Sequence, residues 1–330
     1  MHRKPARAVP QERRDIGAVL KDFLRISALG ADDLALLLEL AARFKADPYR
    51  RRTLLANDTV VLYFNKPSTR TRLSFETAVA RLGGTPIVVG PSELQLGRGE
   101  TIEDTARVIG RYARAFVIRT YADDDVRRFA LAASTPVINA LTDLHHPCQG
   151  LADLFTLRER FGGLAGLKLA YVGDGNNVAH SLIEAAALAG LHLAVATPAL
   201  CAPDRAIVAH AQSLARMHGG SLRLGTDPIE AVDDADAVYT DAWISMGTPE
   251  DERSRRFEML RPYQVNARLM DHAKPSAIFM HCLPDHRGEE VTADIVDGPR
   301  SIVFDQAENR LHTALAVLSS LLGGHLRGAV

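Results

Sequence analysis

The 330-residue sequence has only three cysteines, Cys148, Cys201 and Cys282, far apart and without a Cys-x-x-Cys pair. An odd, scattered set indicates neither a disulfide framework nor a structural zinc site, and at least one thiol is left for chemistry. No apolar run reaches the roughly 18 to 20 residues needed to cross a bilayer. The first twenty residues lack the apolar centre of a secretory signal, so a cytoplasmic protein is expected. Charge of one sign is missing as well: the formal net charge is -1, and no concentrated basic segment offers nucleic acid the surface its phosphates require. There is no internal repeat and no low-complexity tract.

What remains is an ordinary soluble composition, 47% apolar and 24% charged. The chain is long for one hydrophobic core, which points to two domains. Residues 1–21, rich in Arg and Pro without a periodic apolar face, are expected to be a flexible extension. A helix follows over Asp32 to Phe44, where Leu34, Leu37, Leu38, Ala41 and Phe44 recur at helical spacing. Short β-branched or apolar runs then alternate with helical stretches. Thr59 to Phe64, Ile87 to Val89, Phe116 to Ile118 and Pro136 to Ile138 read as buried strands in the first half. Leu167 to Val172, Leu191 to Ala196, Ala237 to Thr240, Ala277 to Met280 and Ile302 to Phe304 read so in the second. Such continuous short runs suit parallel sheets covered on both faces. The expected fold is α/β: two doubly wound parallel-sheet domains joined by interdomain helices, one over Gln149 to Arg160 and one over Glu308 to Leu322.

Ligands of open parallel sheets sit beyond the carboxyl ends of the strands, and the polar motifs cluster there. The stretch from Phe64 to Arg72 follows a strand and precedes a helix. Ser68 is placed as its N-cap, and the hydroxyls and backbone N–H groups around Thr69, Arg70 and Thr71 converge with a guanidinium at a positive helix end. That is an anion site suited to phosphate. It is not a Walker loop, because the glycines and the GK[ST] ending are absent. Gly173-Asp174-Gly175 follows a strand too, but Val178 stands where the third glycine of a dinucleotide fingerprint would be. It reads as a tight turn that brings Asn177 to the ligand, and NAD is not expected.

Ser68-Thr69-Arg70-Thr71-Arg72 with Ser74-Phe75-Glu76 resembles the carbamoyl-phosphate signature of the aspartate and ornithine carbamoyltransferase family. The resemblance continues in order through Gln95 to Glu100, Asp104 to Arg107, Ile118-Arg119-Thr120, His146-Pro147-Cys148-Gln149, Ala152-Asp153, Gly173 to Asn177, Asp241 to Gly247, His281-Cys282-Leu283-Pro284 and Glu308-Asn309-Arg310. It implies a carbamoyl-phosphate-binding domain over 22–147, an acceptor domain over 148–307 and a C-terminal helix, 308–330, packing back on the first domain. By the same resemblance Ser68, Thr69, Arg70 and Thr71 bind phosphate, Arg119 and His146 reach the carbamoyl group, Gln149 holds its amide, and Cys282, Leu283 and Arg310 complete the site. Carbamoyl transfer builds negative charge on the carbonyl oxygen, so preorganised donors aimed at it lower the barrier. Trimers are implied, with Gln95 and Arg98 reaching a neighbouring subunit; no cofactor or metal is. His145 is read as structural.

Asp241-Ala242-Trp243-Ile244-Ser245-Met246-Gly247 resembles the loop of the ornithine branch. Asp241 suits an α-ammonium, and Asn177 with Ser245 and Met246 suits an α-carboxylate. Cys282, as thiol or thiolate, would lie beside the δ-amine and influence its deprotonation. The charged run Glu250 to Arg256 reads as a solvated loop. The implied reaction is carbamoyl transfer from carbamoyl phosphate to the side-chain amine of L-ornithine, giving L-citrulline and phosphate. Carbamoyl transfer to another amine (aspartate, putrescine or a close ornithine analogue such as N-acetylornithine) and a non-catalytic homologue are the alternatives. Two departures stand out, Gly150 after the His-Pro-Cys-Gln run and Ala242 in the Asp-x-x-x-Ser loop, and Gly150 has no functional account at this level.

Overall fold

A computed structural model describes residues 20–96, 98–244 and 250–325. The expected extension falls almost wholly outside them, as do Ser245 and Met246. Four strands, β1 (Thr59–Phe64), β2 (Thr85–Val89), β3 (Ala115–Arg119) and β4 (Val137–Leu141), form a parallel sheet in the order β2-β1-β3-β4. Five more, β5 (Lys168–Val172), β6 (His192–Ala196), β7 (Ser221–Gly225), β8 (Ala237–Thr240) and β9 (Ile278–His281), form a second parallel sheet in the order β7-β6-β5-β8-β9. The strand order reverses between β1 and β3 in one sheet and between β5 and β8 in the other. Each reversal opens a crevice at the carboxyl ends, the place where such sheets hold ligands.

Helices α1 (Ala31–Ala46), α2 (Thr69–Arg81), α3 (Ile102–Tyr112) and α4 (Asp123–Ala132) accompany the first sheet, and α5 (Pro147–Phe161) leads to the second. There follow α6 (Asn177–Leu188), α7 (Arg205–His218), α8 (Pro228–Val232), α9 (Glu250–Leu260), α10 (Ala267–Met270), α11 (Ala293–Val296) and α12 (Val303–Leu322). The last helix returns to lie against α1, α2 and α5, while α5 packs on α6. One apolar cluster therefore runs from Leu37 and Phe44 through Val117 and Leu154 to Leu182 and Leu193, fusing the sheets through α5 and α12.

Two local expectations are corrected, and one strand went unread. Ile302 to Phe304 is not a strand: only Ser301 bridges to Phe279, and α12 begins at Val303. A three-residue apolar run does not separate a buried strand from the first turn of a helix. β7 went unread because it is an edge strand whose residues are largely exposed, so it carries no continuous apolar run. The charged run after Ile244 is helical, in α9, and Arg256 is tied down by Asp174, with Nη2 to Oδ2 at 2.6 Å.

Candidate active site

The site is built from the ends of β1, β3, β5, β8 and β9 together with the start of α5 and one face of α12. After β1 the chain turns into α2, where Ser68 caps the helix by accepting the Thr71 N–H at 3.3 Å. The N–H groups of Thr69, Arg70 and Thr71 occupy the first turn, which has no intrahelical acceptors for them and carries the positive end of the helix dipole. The Thr71 hydroxyl is buried and accepts from Arg310 Nη2 at 2.9 Å. The other arm of that guanidinium, Nη1, donates to Gln149 Oε1 at 2.5 Å. Arg310 thus joins the phosphate-type turn of α2 to the first turn of α5.

Arg119 closes β3, and its buried Nε makes no hydrogen bond. Burial, then Arg310 and Arg70, lower its guanidinium to about 10 against the opposing pull of Cys282. Burial, followed by the repulsion of Arg310, also lowers Arg70. His146 is the N-cap residue of α5, fixed by Pro147 at the next position and by its own N–H donating to Ser181 Oγ of α6 at 2.7 Å. Its imidazole is buried, and Nδ1 makes no hydrogen bond. Burial and the fields of Arg310, Arg119 and Arg70 hold it well below the usual histidine range, so the ring is neutral near pH 7. Three guanidiniums and a neutral imidazole thus surround one spot at which buried donors lack partners. Unpaired buried donors are costly, and an anionic ligand with a carbonyl oxygen would satisfy them. His145, read as structural, is held by Asp123, with Nδ1 to Oδ1 at 3.0 Å, while its Nε2 makes no hydrogen bond and lies 3.9 Å from Glu184 Oε1.

The second crevice supplies acidic and amide groups. The Gly173-Asp174-Gly175 turn presses so closely on the chain at Cys201 to Pro203 that a Cβ on Gly175 would lie 2.3 Å from the Cys201 carbonyl oxygen. Close chain packing accounts for that glycine. The turn delivers two asparagines. Asn177 donates to the Thr142 carbonyl at 2.5 Å, across the two sheets. Asn176, which had no expected role, caps α6 by accepting from Val178 and Ala179 N–H and donates to Asp241 Oδ2 at 2.7 Å. Asp241, buried just past β8, takes the Cys282 thiol on Oδ1 at 2.9 Å. Burial, and then Asp241, raise the Cys282 thiol well above its ordinary range, so it is the thiol and not the thiolate that faces the site. Leu283 adopts the left-handed region at φ 57, precedes a cis bond to Pro284, and donates its N–H to His281 Nδ1 at 2.9 Å.

The ligand atoms of Asp241, His281 and Cys282 lie within 4.8 Å of one another. His281 Nδ1 is already taken by Leu283, and Nε2 faces Glu290 at 3.3 Å. Two donors remain, fewer than a zinc site needs. Gln95 and Arg98 lie exposed between β2 and α3, and among the described residues no hydrogen bond or ion pair joins their side chains to the cationic group. Sequence reasoning missed Asn176, Ser181 and Gln306. Only Asn176 carried a local signal, an N-cap residue at a strand-to-helix turn.

Comparison with known proteins follows the same division. Residues 21–159 match the family model "Aspartate/ornithine carbamoyltransferase, carbamoyl-P binding domain", and residues 165–321 match the model for its Asp/Orn binding domain. The ornithine carbamoyltransferase of Acidothermus cellulolyticus is 51% identical over 304 residues, 92% of this chain and 97% of that protein. The Pyrococcus furiosus protein named as the anabolic ornithine carbamoyltransferase is 49% identical over 309 residues, 92% of this chain and 97% of its own. The solved P. furiosus ornithine carbamoyltransferase structure superposes with a TM-score of 0.89, covering 93% of this chain and 98% of that one.

Proposed function

Because the chain belongs to the aspartate/ornithine carbamoyltransferase family, we propose that the two crevices hold carbamoyl phosphate and L-ornithine and that the residues above divide the work between them. The reaction is transfer of the carbamoyl group from carbamoyl phosphate to the side-chain amine of L-ornithine, giving L-citrulline and phosphate. The carrying observation is that Arg70, Arg119 and Arg310 all act on the neutral, buried His146, and that Arg119 Nε and His146 Nδ1 are buried without a hydrogen-bond partner.

The phosphate sits in the turn from Ser68 to Thr71, against Arg70. The carbamoyl oxygen lies toward Arg119, His146 and the Thr71 hydroxyl, so the oxyanion that forms on attack meets donors already in place. A neutral imidazole serves this purpose by donating one N–H without adding a charge that three neighbouring guanidiniums would resist. Gln149 and Leu283 hold the carbamoyl amine. Ornithine enters second: Asp241 takes its α-ammonium, and Asn177 with Ser245 and Met246 takes its carboxylate. The Cys282 sulfur, its hydrogen committed to Asp241, accepts an N–H from the δ-amine and orients the lone pair. The amine attacks the carbonyl carbon, the C–N bond forms, the C–O bond to phosphate breaks, and the departing phosphate takes the amine proton.

The proposed setting is cytoplasmic arginine biosynthesis in a homotrimer, with Gln95 and Arg98 completing a neighbour's site and residues 1–14 dispensable for catalysis. Lys21, at the end of the expected extension, is instead anchored, its Nζ donating to the Ala130 and Ala133 carbonyls at 2.7 and 2.9 Å. The domain division proposed is 22–147 for carbamoyl phosphate, 148–307 for ornithine and 308–330 as the returning segment. Among the described residues no helix is long and apolar enough to cross a membrane. The test is product analysis: carbamoyl phosphate labelled at its carbon should yield labelled citrulline and an equimolar amount of phosphate. Phosphate release without labelled citrulline would contradict the reading.

A further inference from the structure

We propose that Asp153 is a positioning residue that makes the site select a carbamoyl over an acetyl group, by fixing which end of the Gln149 amide faces the substrate. The inference rests on the placement of Gln149 beside the carbamoyl amine.

Asp153 lies one turn beyond Gln149 on α5 and is fully buried. Its Oδ1 accepts from Gln149 Nε2 at 2.7 Å and from Gln306 Nε2, on α12, also at 2.7 Å, while Oδ2 makes no hydrogen bond. Gln306 is itself held at both ends, its oxygen accepting the His281 N–H at 3.0 Å and its nitrogen lying 3.1 Å from the Tyr239 hydroxyl. A single acceptor oxygen therefore receives two amide nitrogens at the junction of α5, α12, β8 and β9.

This arrangement leaves Gln149 no freedom to turn over. Its nitrogen must meet Asp153, an acceptor, and its oxygen must meet Arg310, which has only donors. Reversed, the amide would set oxygen against oxygen and NH2 against a guanidinium. Gln149 Oε1 keeps one lone pair beyond the Arg310 bond, and a carbamoyl NH2 can donate to it. An acetyl methyl group cannot, and would leave a buried acceptor short of a partner, the kind of mismatch that gives strong discrimination. What Asp153 supplies is an acceptor, not a charge. Burial raises its carboxyl to about 7, so the two bonds persist in a site where the group is partly protonated at neutral pH.

The test compares Asp153→Ala, which removes the acceptor, with Asp153→Asn, which keeps a carbonyl oxygen in its place. The KM for carbamoyl phosphate is measured beside the inhibition constants of acetyl phosphate and inorganic phosphate. The alanine variant should raise the KM about tenfold or more while both inhibition constants stay within about twofold, and asparagine should restore the KM to within about threefold. Parallel weakening of all three anions in the alanine variant would show a merely structural role and overturn the proposal. So would an asparagine variant as damaged as alanine. If alanine prevents folding, Asp153→Leu carries the same comparison. A wild-type enzyme that binds acetyl phosphate as well as carbamoyl phosphate would instead remove the role of Gln149 itself.

Discussion

Cys282 donates its thiol hydrogen to Asp241, with Sγ 2.9 Å from Oδ1. That contact ties the residues just past the ends of β8 and β9 together and holds the sulfur in its protonated form. Because burial and the Asp241 charge both raise the thiol, the sulfur cannot serve as the base for the δ-amine. It should also be slow toward reagents that need a thiolate. Iodoacetamide at pH 8 should label Cys282 slowly, and Asp241→Asn, by removing the charge, should accelerate labelling. Peptide mass spectrometry distinguishes it from Cys148 and Cys201, whose thiols burial raises to about 12 and about 11. Faster labelling in the wild type than in the variant would contradict the contact.

Arg70 stands in the first turn of α2, half-buried and outside the packed core, and is assigned above to the proposed phosphate turn. Arg70→Ala should therefore leave the thermal unfolding curve nearly unchanged. Loss of charge-assisted bonds worth about 1.5 to 3 kcal/mol should weaken phosphate and carbamoyl phosphate binding by roughly tenfold or more. Calorimetric titration with inorganic phosphate reads this directly, and an unchanged affinity would remove Arg70 from the phosphate turn.

Asp153 makes a prediction about stability as well. Its carboxyl is raised from 3.8 to about 7 in the folded chain, so between those values the native state holds a proton that the unfolded state has lost. Stability contributed by this group consequently falls as pH rises from about 4 to about 7 and levels off above that. The full cost of ionising it in place is up to about 4 kcal/mol. Asp153→Asn should abolish that cost, stabilising the protein at pH 8 more than at pH 5 in denaturant titrations. Equal effects at the two pH values would contradict it.

Much of the frame was legible in the sequence because buried parallel strands are written as short continuous apolar runs, and β1, β3, β5 and β8 all carry one. The start of α2 was legible as well, from Ser68 as a cap, and α5 was read from Gln149, two residues after its start at Pro147. What escaped was of two kinds. β7 and the start of α12 were ambiguous on local pattern, the first an exposed edge and the second a three-residue run. The supporting bonds of the site were invisible for another reason: Asn176 to Asp241 spans 65 positions and Gln306 to Asp153 spans 153. Nothing local marks a glutamine on a long helix as the partner of an aspartate on another. Gly150 lies between these cases. A Cβ there would come within 3.1 Å of the Ser181 carbonyl oxygen, so the glycine lets α6 approach α5 where Ser181 holds the His146 N–H.

The central claim is that Asp241 and Cys282 measure the distance between the α-ammonium and the nucleophilic amine of the acceptor. Steady-state kcat/KM with L-ornithine, L-lysine, L-2,4-diaminobutyrate, putrescine and aspartate, assayed side by side on saturating carbamoyl phosphate, tests it most directly. The account predicts that L-ornithine exceeds every other acceptor, since a longer or shorter chain misplaces the amine, putrescine lacks the α-carboxylate and aspartate lacks the side-chain amine. It predicts further that Asp241→Asn lowers kcat/KM for ornithine by about tenfold or more with the carbamoyl phosphate affinity kept, because only the second substrate meets that charge. Putrescine or aspartate as the better acceptor would contradict it and leave carbamoyl transfer without ornithine as its target.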